Sequence, residues 1–239
     1  MSMTRVSNLK AWAALLVVGL LVILLVLALS ACGGAGAGGQ EEAEGRPLPH
    51  DKGSLRTGEY HSLKFKPALS FKVGKGWATE SPETSDTLPL GWGDQGGGMG
   101  FFNVQNVYKP TEAGTPSSKV ELVEAPKDLA GWLQNHPYIE TSKPEPITVG
   151  GVKGLQFDLV AKGVPEDHYS LCGTNCVDMF QVSTGNAALF EGEKLHCIVL
   201  EDVEGETVYI DFGPEDSKDK GSDYTEAQKV VESVKWAGS

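Results

Sequence analysis

The most apolar stretch of the chain, Ala11 to Leu29, carries no charge and is preceded by two cations, Arg5 and Lys10. From Gly33 to about Arg56 the composition changes to Gly, Ala, Glu and a few prolines, with almost no large apolar side chain. Such a segment cannot bury enough surface to offset the entropy of ordering it, so it reads as a flexible spacer. Period-two alternation begins at Leu63-Lys64-Phe65-Lys66 and strengthens at Leu69-Ser70-Phe71-Lys72-Val73, the pattern of a strand with one buried face. Gly74 to Gly76 ends it before Trp77. Ser81 to Gly100 is rich in Pro, Gly and acids and reads as a long loop, and Met99 to Tyr108 then resumes strand character.

A helix is predicted next. Pro126 suits its first turn, Asp128 favours the dipole there, and Leu129, Trp132, Leu133 and His136 share one face before His136-Pro137 stops it. Strands dominate beyond: Ile147 to Val149, a Gly150-Gly151 turn and Val152 to Ala161 form a hairpin. Val177 to Val182, Ala187 to Phe190, Lys194 to Val203 and Thr207 to Phe212 follow, the last two joined by a turn at Glu204-Gly205-Glu206. In Thr225 to Trp236 the residues Ala227, Val230, Val231 and Val234 make a helical stripe, and Thr225 with Gln228 offers a capping box. About seven strands with short antiparallel connections and two helices predict an α+β domain, a mostly antiparallel sheet packed with two or more helices.

The residues at the end of the apolar run sharpen the N-terminal reading. Leu29-Ser30-Ala31-Cys32 resembles the lipobox of bacterial prolipoproteins, in which small residues precede a cysteine at the cleavage point. The resemblance implies removal of residues 1–31, diacylglycerol on the Cys32 sulfur, and attachment to the cell membrane on its extracytoplasmic face. Two acyl chains hold a protein that one would release. An uncleaved transmembrane helix is the alternative, because Ala11 to Ala31 is long enough to span a bilayer. Both readings put Arg5 and Lys10 in the cytoplasm and the rest outside it. The resulting organisation is a signal peptide at 1–31, a tether at 32–58 and a single extracytoplasmic domain at 59–239.

Loss of the signal, which holds two cations and no acid, takes the formal net charge from −12 to −14. A surface this acidic disfavours nucleic acid and anionic lipid head groups. Three cysteines remain for the exported part, and three pairings are open to them. The Gly173-Thr174-Asn175 tripeptide is turn-prone and favours a Cys172 to Cys176 bridge, since Gly and Asn take the positive φ a small ring needs. Cys197, inside an apolar strand, then reads as a buried free thiol.

No catalytic constellation emerges: G-x-S-x-G, H-E-x-x-H and a cysteine nucleophile with a partner are all lacking. Gly91-Trp92-Gly93-Asp94-Gln95-Gly96 and Gly34-Ala35-Gly36-Ala37-Gly38-Gly39 satisfy G-x-G-x-x-G, but neither stands between a strand and a helix, where a dinucleotide needs it. No cofactor is therefore expected. Trp92, on a glycine-rich segment, and Phe101 beyond it are candidate ligand contacts, with core packing as the ordinary alternative. His168, Cys172 and Cys176, with His196 and Cys197, supply soft ligands for zinc or copper, although a disulfide would consume two of them.

Leu69-Ser70-Phe71-Lys72-Val73-Gly74-Lys75-Gly76-Trp77, Ile147-Thr148-Val149-Gly150-Gly151-Val152-Lys153-Gly154 and the closing Val231-Glu232-Ser233-Val234 resemble extracytoplasmic lipoproteins with a PsbP/Mog1-like sandwich. The chain is also similar to lipoproteins of unknown function from high-GC Gram-positive bacteria. The resemblance implies a PsbP/Mog1-like fold over about residues 60 to 236 and a binding or assembly role. The expected function is thus a non-catalytic, lipid-anchored envelope module that binds another envelope protein or a small ligand. The alternatives are an envelope hydrolase acting on glycans or lipids, and a metal-binding lipoprotein using His168 and the cysteines.

Overall fold

Cys197-Ile198-Val199-Leu200 is apolar at every position, so a strand there has to be covered on both faces. The computed structural model describes residues 45–92, 97–112, 120–165, 169–214 and 224–238. In chain order its strands of three or more residues are β1 (Gly58–His61), β2 (Leu69–Val73), β3 (Trp77–Thr79), β4 (Thr87–Trp92), β5 (Gly97–Asn103), β6 (Asn106–Tyr108), β7 (Leu122–Glu124), β8 (Ile139–Thr141), β9 (Glu145–Val149), β10 (Val152–Ala161), β11 (Cys176–Val182), β12 (Gly185–Phe190), β13 (Lys194–Val203) and β14 (Glu206–Pro214). The helices are α1 (Leu129–Gln134) and α2 (Thr225–Ser233).

A nine-stranded antiparallel sheet runs β8-β10-β13-β14-β5-β4-β3 and ends on Gly53–Ser54, with β9 also paired to β10. Its alternating side chains feed two separate cores. Ile198 and Leu200 of β13, Val208, Ile210 and Phe212 of β14, and Met99 and Phe101 of β5 enter one of them. There they meet Tyr60, Leu69, Phe71 and Val73 from a small sheet (Arg46–Pro47, β1, β2, Lys235–Trp236) and Ala227, Val230 and Val231 from α2. Cys197, Val199 and Tyr209 point the other way, into a core shared with α1 and with a second small sheet, β12-β11-β6-β7.

The fold is therefore mostly β, not α+β with helices covering a sheet: strand takes 53% and helix 9% of the described residues. At 6 and 9 residues the two helices are too short to cover nine strands, and the small sheets do most of the covering. This sheet-on-sheet arrangement replaces the expected sheet packed with two or more helices. Much of the long loop expected at Ser81 to Gly100 is β4 and the start of β5. Leu88 and Leu90 are buried in alternation there, with Pro89 between them and Gly91 after them masking the period. The chain is also ordered within the stretch read as a spacer, where Leu48 and Leu55 are buried and Leu55 N donates to Trp77 O.

Local expectations fared better at turns than at caps. Gly150 and Gly151 join β9 to β10, and Glu204 and Gly205 join β13 to β14, all four at positive φ. Asp128 is the N-cap of α1 and accepts from Gly131 N at 2.6 Å, while His136 lies beyond the helix end. The C-terminal helix stops at Ser233 instead of reaching Trp236, because Val234 turns extended and Lys235–Trp236 pairs with β2. Its N-cap is Tyr224, without a side-chain capping bond, in place of the expected Thr225 box.

Candidate functional site

The central sheet is unevenly clothed. Across one end of the face that carries Cys197 and Tyr209, the paired positions Gly91 (β4), Gly98 (β5) and Gly213 (β14) have no side chain, nor has Gly100 next along β5. A Cβ at Gly98 would meet nothing within 4 Å, so the missing atoms leave open space there. The result is a cavity of about 390 Å³, walled by Phe102, Leu195 and Ala188 and by three carboxylates, Glu80, Glu193 and Asp211. A volume near the lower end of ligand cavities, with few polar groups converging on it, fits a small molecule.

Each carboxylate is placed by a different element. Glu80 follows β3 and pairs with Lys52 at 2.7 Å. Glu193 sits in the turn between β12 and β13, where its Oε2 accepts from Phe190 N at 2.9 Å. Asp211 stands in β14 opposite Gly100 and Cys197. Burial, and then the Glu193 carboxylate, push the Asp211 carboxyl up to about 7, against the pull of the Tyr209 hydroxyl and the Gly100 N–H. Burial also raises Glu193, despite the Phe190 N–H. Among the described residues neither Glu193 nor Asp211 has a salt-bridge partner. The neighbouring Tyr209 hydroxyl is held far above its ordinary value, first by burial and then by Asp211, so it stays protonated. Two carboxylates disfavoured as anions in one open cavity are relieved by a cation, or by sharing protons.

The residues singled out in the sequence lie around this site more than in it. Trp92 is half-buried, tilted against Trp77 with ring centroids 5.2 Å apart, and covers the Cβ position of Gly97. Phe101 is 0% exposed and belongs to the opposite core, so it presents no surface to a ligand. No motif or spacing in the sequence marks the pocket residues Glu80, Glu193 and Asp211. The only trace of the site in the sequence is the run Gly96-Gly97-Gly98-Met99-Gly100, whose glycines alternate around a core methionine.

Cys172 and Cys176 are disulfide-bonded, with Gly173 at φ 109° and Asn175 at φ 59° in the ring. Cys197 is free and buried, its thiol pushed well up by burial and by Asp211. It cannot share a ligand with His196, because adjacent strand residues face opposite sides of the sheet. His196 Nδ1 lies 2.9 Å from Asp158 Oδ1, whose other oxygen pairs with Lys194 at 2.8 Å. Among the described residues no group of three or more His, Cys, Asp or Glu is placed to hold a metal ion. His168, Cys32 and residues 93–96 of the first glycine motif lie outside the described residues. No protein-family model and no curated protein matches the chain.

Proposed function

We propose that this chain is a lipid-anchored, extracytoplasmic binding module whose glycine-floored pocket takes a small ligand bearing an ammonium or guanidinium group. The carrying observation is the Asp211–Glu193 pair: burial raises both carboxyl groups, the Glu193 carboxylate raises Asp211 further, and a bound cation offsets both effects. Phe102 and Leu195 supply apolar walls for the ligand's carbon frame. Agmatine, which carries both groups, is a direct probe. Above pH 7 Asp211 is anionic, so agmatine binding by calorimetry is expected to tighten at least about tenfold from pH 5.5 to pH 8. Asp211→Asn removes the titrating charge and with it that pH dependence. Equal agmatine affinity in the wild type and Asp211→Asn at pH 8 refutes the reading.

The membrane attachment rests on the lipobox. Cys32→Ala is expected to block both lipidation and cleavage, so that intact-protein mass spectrometry finds residues 1–31 retained and no acyl group, whereas the wild type begins at an acylated Cys32. A wild-type protein that keeps residues 1–31 and carries no acyl group on Cys32 would overturn the lipoprotein assignment. The second reading, an envelope hydrolase acting on glycans, is favoured by the same Asp211. A carboxyl titrating near 7 beside a second carboxylate is the arrangement in which one acts as acid and the other as base or nucleophile. Glycan turnover that vanishes in Asp211→Asn decides for the enzyme, whereas agmatine binding without turnover decides for the binding module.

A further inference from the structure

The charged groups of the acidic pocket stand around one bare position. A Cβ added at Gly98 would meet nothing within 4 Å, whereas each glycine around it is overhung by a side chain. Above Gly91, directly opposite on β4, lies Oε1 of Glu80. Two residues along β5, Oδ1 of Asp211 lies 3.2 Å from the Cβ position of Gly100, next to the edge of the Phe102 ring. Leu195 leans over Gly213, the partner of Gly98 on β14.

Strand register sets the distance between two of the carboxylates. Gly100 pairs with Pro89, so Gly91 is its diagonal neighbour on β4. Asp211 reaches in from β14 and Glu80 from beyond β3, on opposite sides of these two positions, so their oxygens stand about 7–8 Å apart or more. One ammonium, with N···O contacts of about 2.8 Å, cannot touch both. Glu80 is held in place from behind the floor: its Oε2 pairs with Lys52 at 2.7 Å, which leaves Oε1 as the oxygen above Gly91. Lys52 immediately precedes Gly53–Ser54, the pair that hydrogen-bonds to β3, so it acts as a positioning residue for Glu80.

We propose that the ligand of this pocket is a linear aliphatic diamine without a carboxylate, one ammonium held by Asp211 and Glu193 and the other by Glu80 Oε1, its methylene chain crossing Gly98 beside Phe102. The proposal rests on the cation-binding reading above and adds the second charge, the spacing of the two charges and the exclusion of diamino acids. Five methylenes between two nitrogens span about 7–8 Å when extended, from C–C bonds of about 1.5 Å, which matches the floor between Glu80 and Asp211. Among the described residues no Lys, Arg or His lines the cavity. A ligand carboxylate would therefore lose water beside three acids with no cation to receive it.

The test is calorimetry at pH 8 on the full-length protein in phosphatidylcholine nanodiscs, with empty discs as the blank and cadaverine, pentylamine and lysine as probes. Cadaverine and pentylamine share a five-carbon chain and differ by one ammonium, and lysine adds a carboxylate to cadaverine. Cadaverine is expected to bind about fivefold or more tighter than pentylamine, and about tenfold or more tighter than lysine. Glu80→Gln removes the charge at nearly constant size and should reduce the preference for cadaverine over pentylamine to less than about twofold. That preference is a ratio measured on one variant, so a smaller folded fraction does not alter it. Equal affinity for cadaverine and pentylamine, a preference that survives Glu80→Gln, or lysine binding as tightly as cadaverine overturns the diamine proposal. If Asp211→Asn still weakens the amines in such a case, the cation-binding reading stands without it; if no amine shows Asp211-dependent binding, both fall.

Discussion

Asp211→Asn is expected to make the protein more stable at pH 8 while removing its affinity for a cationic ligand. A carboxyl whose pKa rises on folding binds its proton more tightly in the folded state. Its contribution is therefore fully present below the unfolded value of 3.8 and is lost as pH rises through the folded value of about 7. At about 1.4 kcal/mol per pH unit, the wild type loses up to about 4 kcal/mol between pH 4 and pH 7 through this one group. Asparagine does not titrate and keeps an oxygen to accept from the Gly100 N–H. Denaturant unfolding at pH 4.5, 6, 7 and 8 should show the variant gaining on the wild type at each step to pH 7, by about 2–4 kcal/mol in all. Stability curves that stay parallel from pH 4.5 to pH 8 would mean that Asp211 is not held in a costly state. A residue that destabilises its own fold and recovers that cost on binding is an expected mark of a functional site.

Phe101→Ala is expected to cost about 3–5 kcal/mol, the range for deleting a buried aromatic ring and leaving a cavity. Phe101 is 0% exposed, stacks on Phe71 at 6.1 Å and meets Phe65 edge-on at 6.4 Å. In the sheet it stands between Leu88 of β4 and Ile210 of β14. Since β5 joins the central sheet to the small sheet through this ring, no single neighbour can close the void. For a domain of this size the loss should lower the melting temperature by about 10 °C or more, with agmatine affinity unchanged in the fraction that remains folded. A loss below about 1 kcal/mol together with weakened ligand binding would return Phe101 to the role of ligand contact.

Phe101 and Asp211 illustrate two different limits of reading a chain without its fold. Phe101-Phe102 is plainly a strand in the sequence, and one of its two rings must face each way. Which ring faces a core and which a cavity depends on what covers each side: Phe71 and Phe65 cover Phe101, while the bare Gly98 and Gly100 leave Phe102 on a pocket wall. Asp211 was one acid among 32. Its distinction comes from burial and from Glu193, which lies in the turn before β13 and reaches it through the pairing of β13 with β14.

The sequence by itself determined the hairpin turns at Gly150-Gly151 and Glu204-Gly205, the Cys172–Cys176 ring and the main runs of alternating strand. All of these depend on dihedral preference or spacing within a few residues. It misjudged the fold class, since a sheet buried on both faces loses the one-sided alternation that shows which side is inward, and short strands broken by Pro89 or Gly91 look like loop. Only the tertiary structure decided that two small sheets, in place of long helices, close the central one, and that Glu80, Glu193 and Asp211 share a glycine floor. Burial and electrostatic repulsion act through space, between residues that strand pairing brings together from distant parts of the chain.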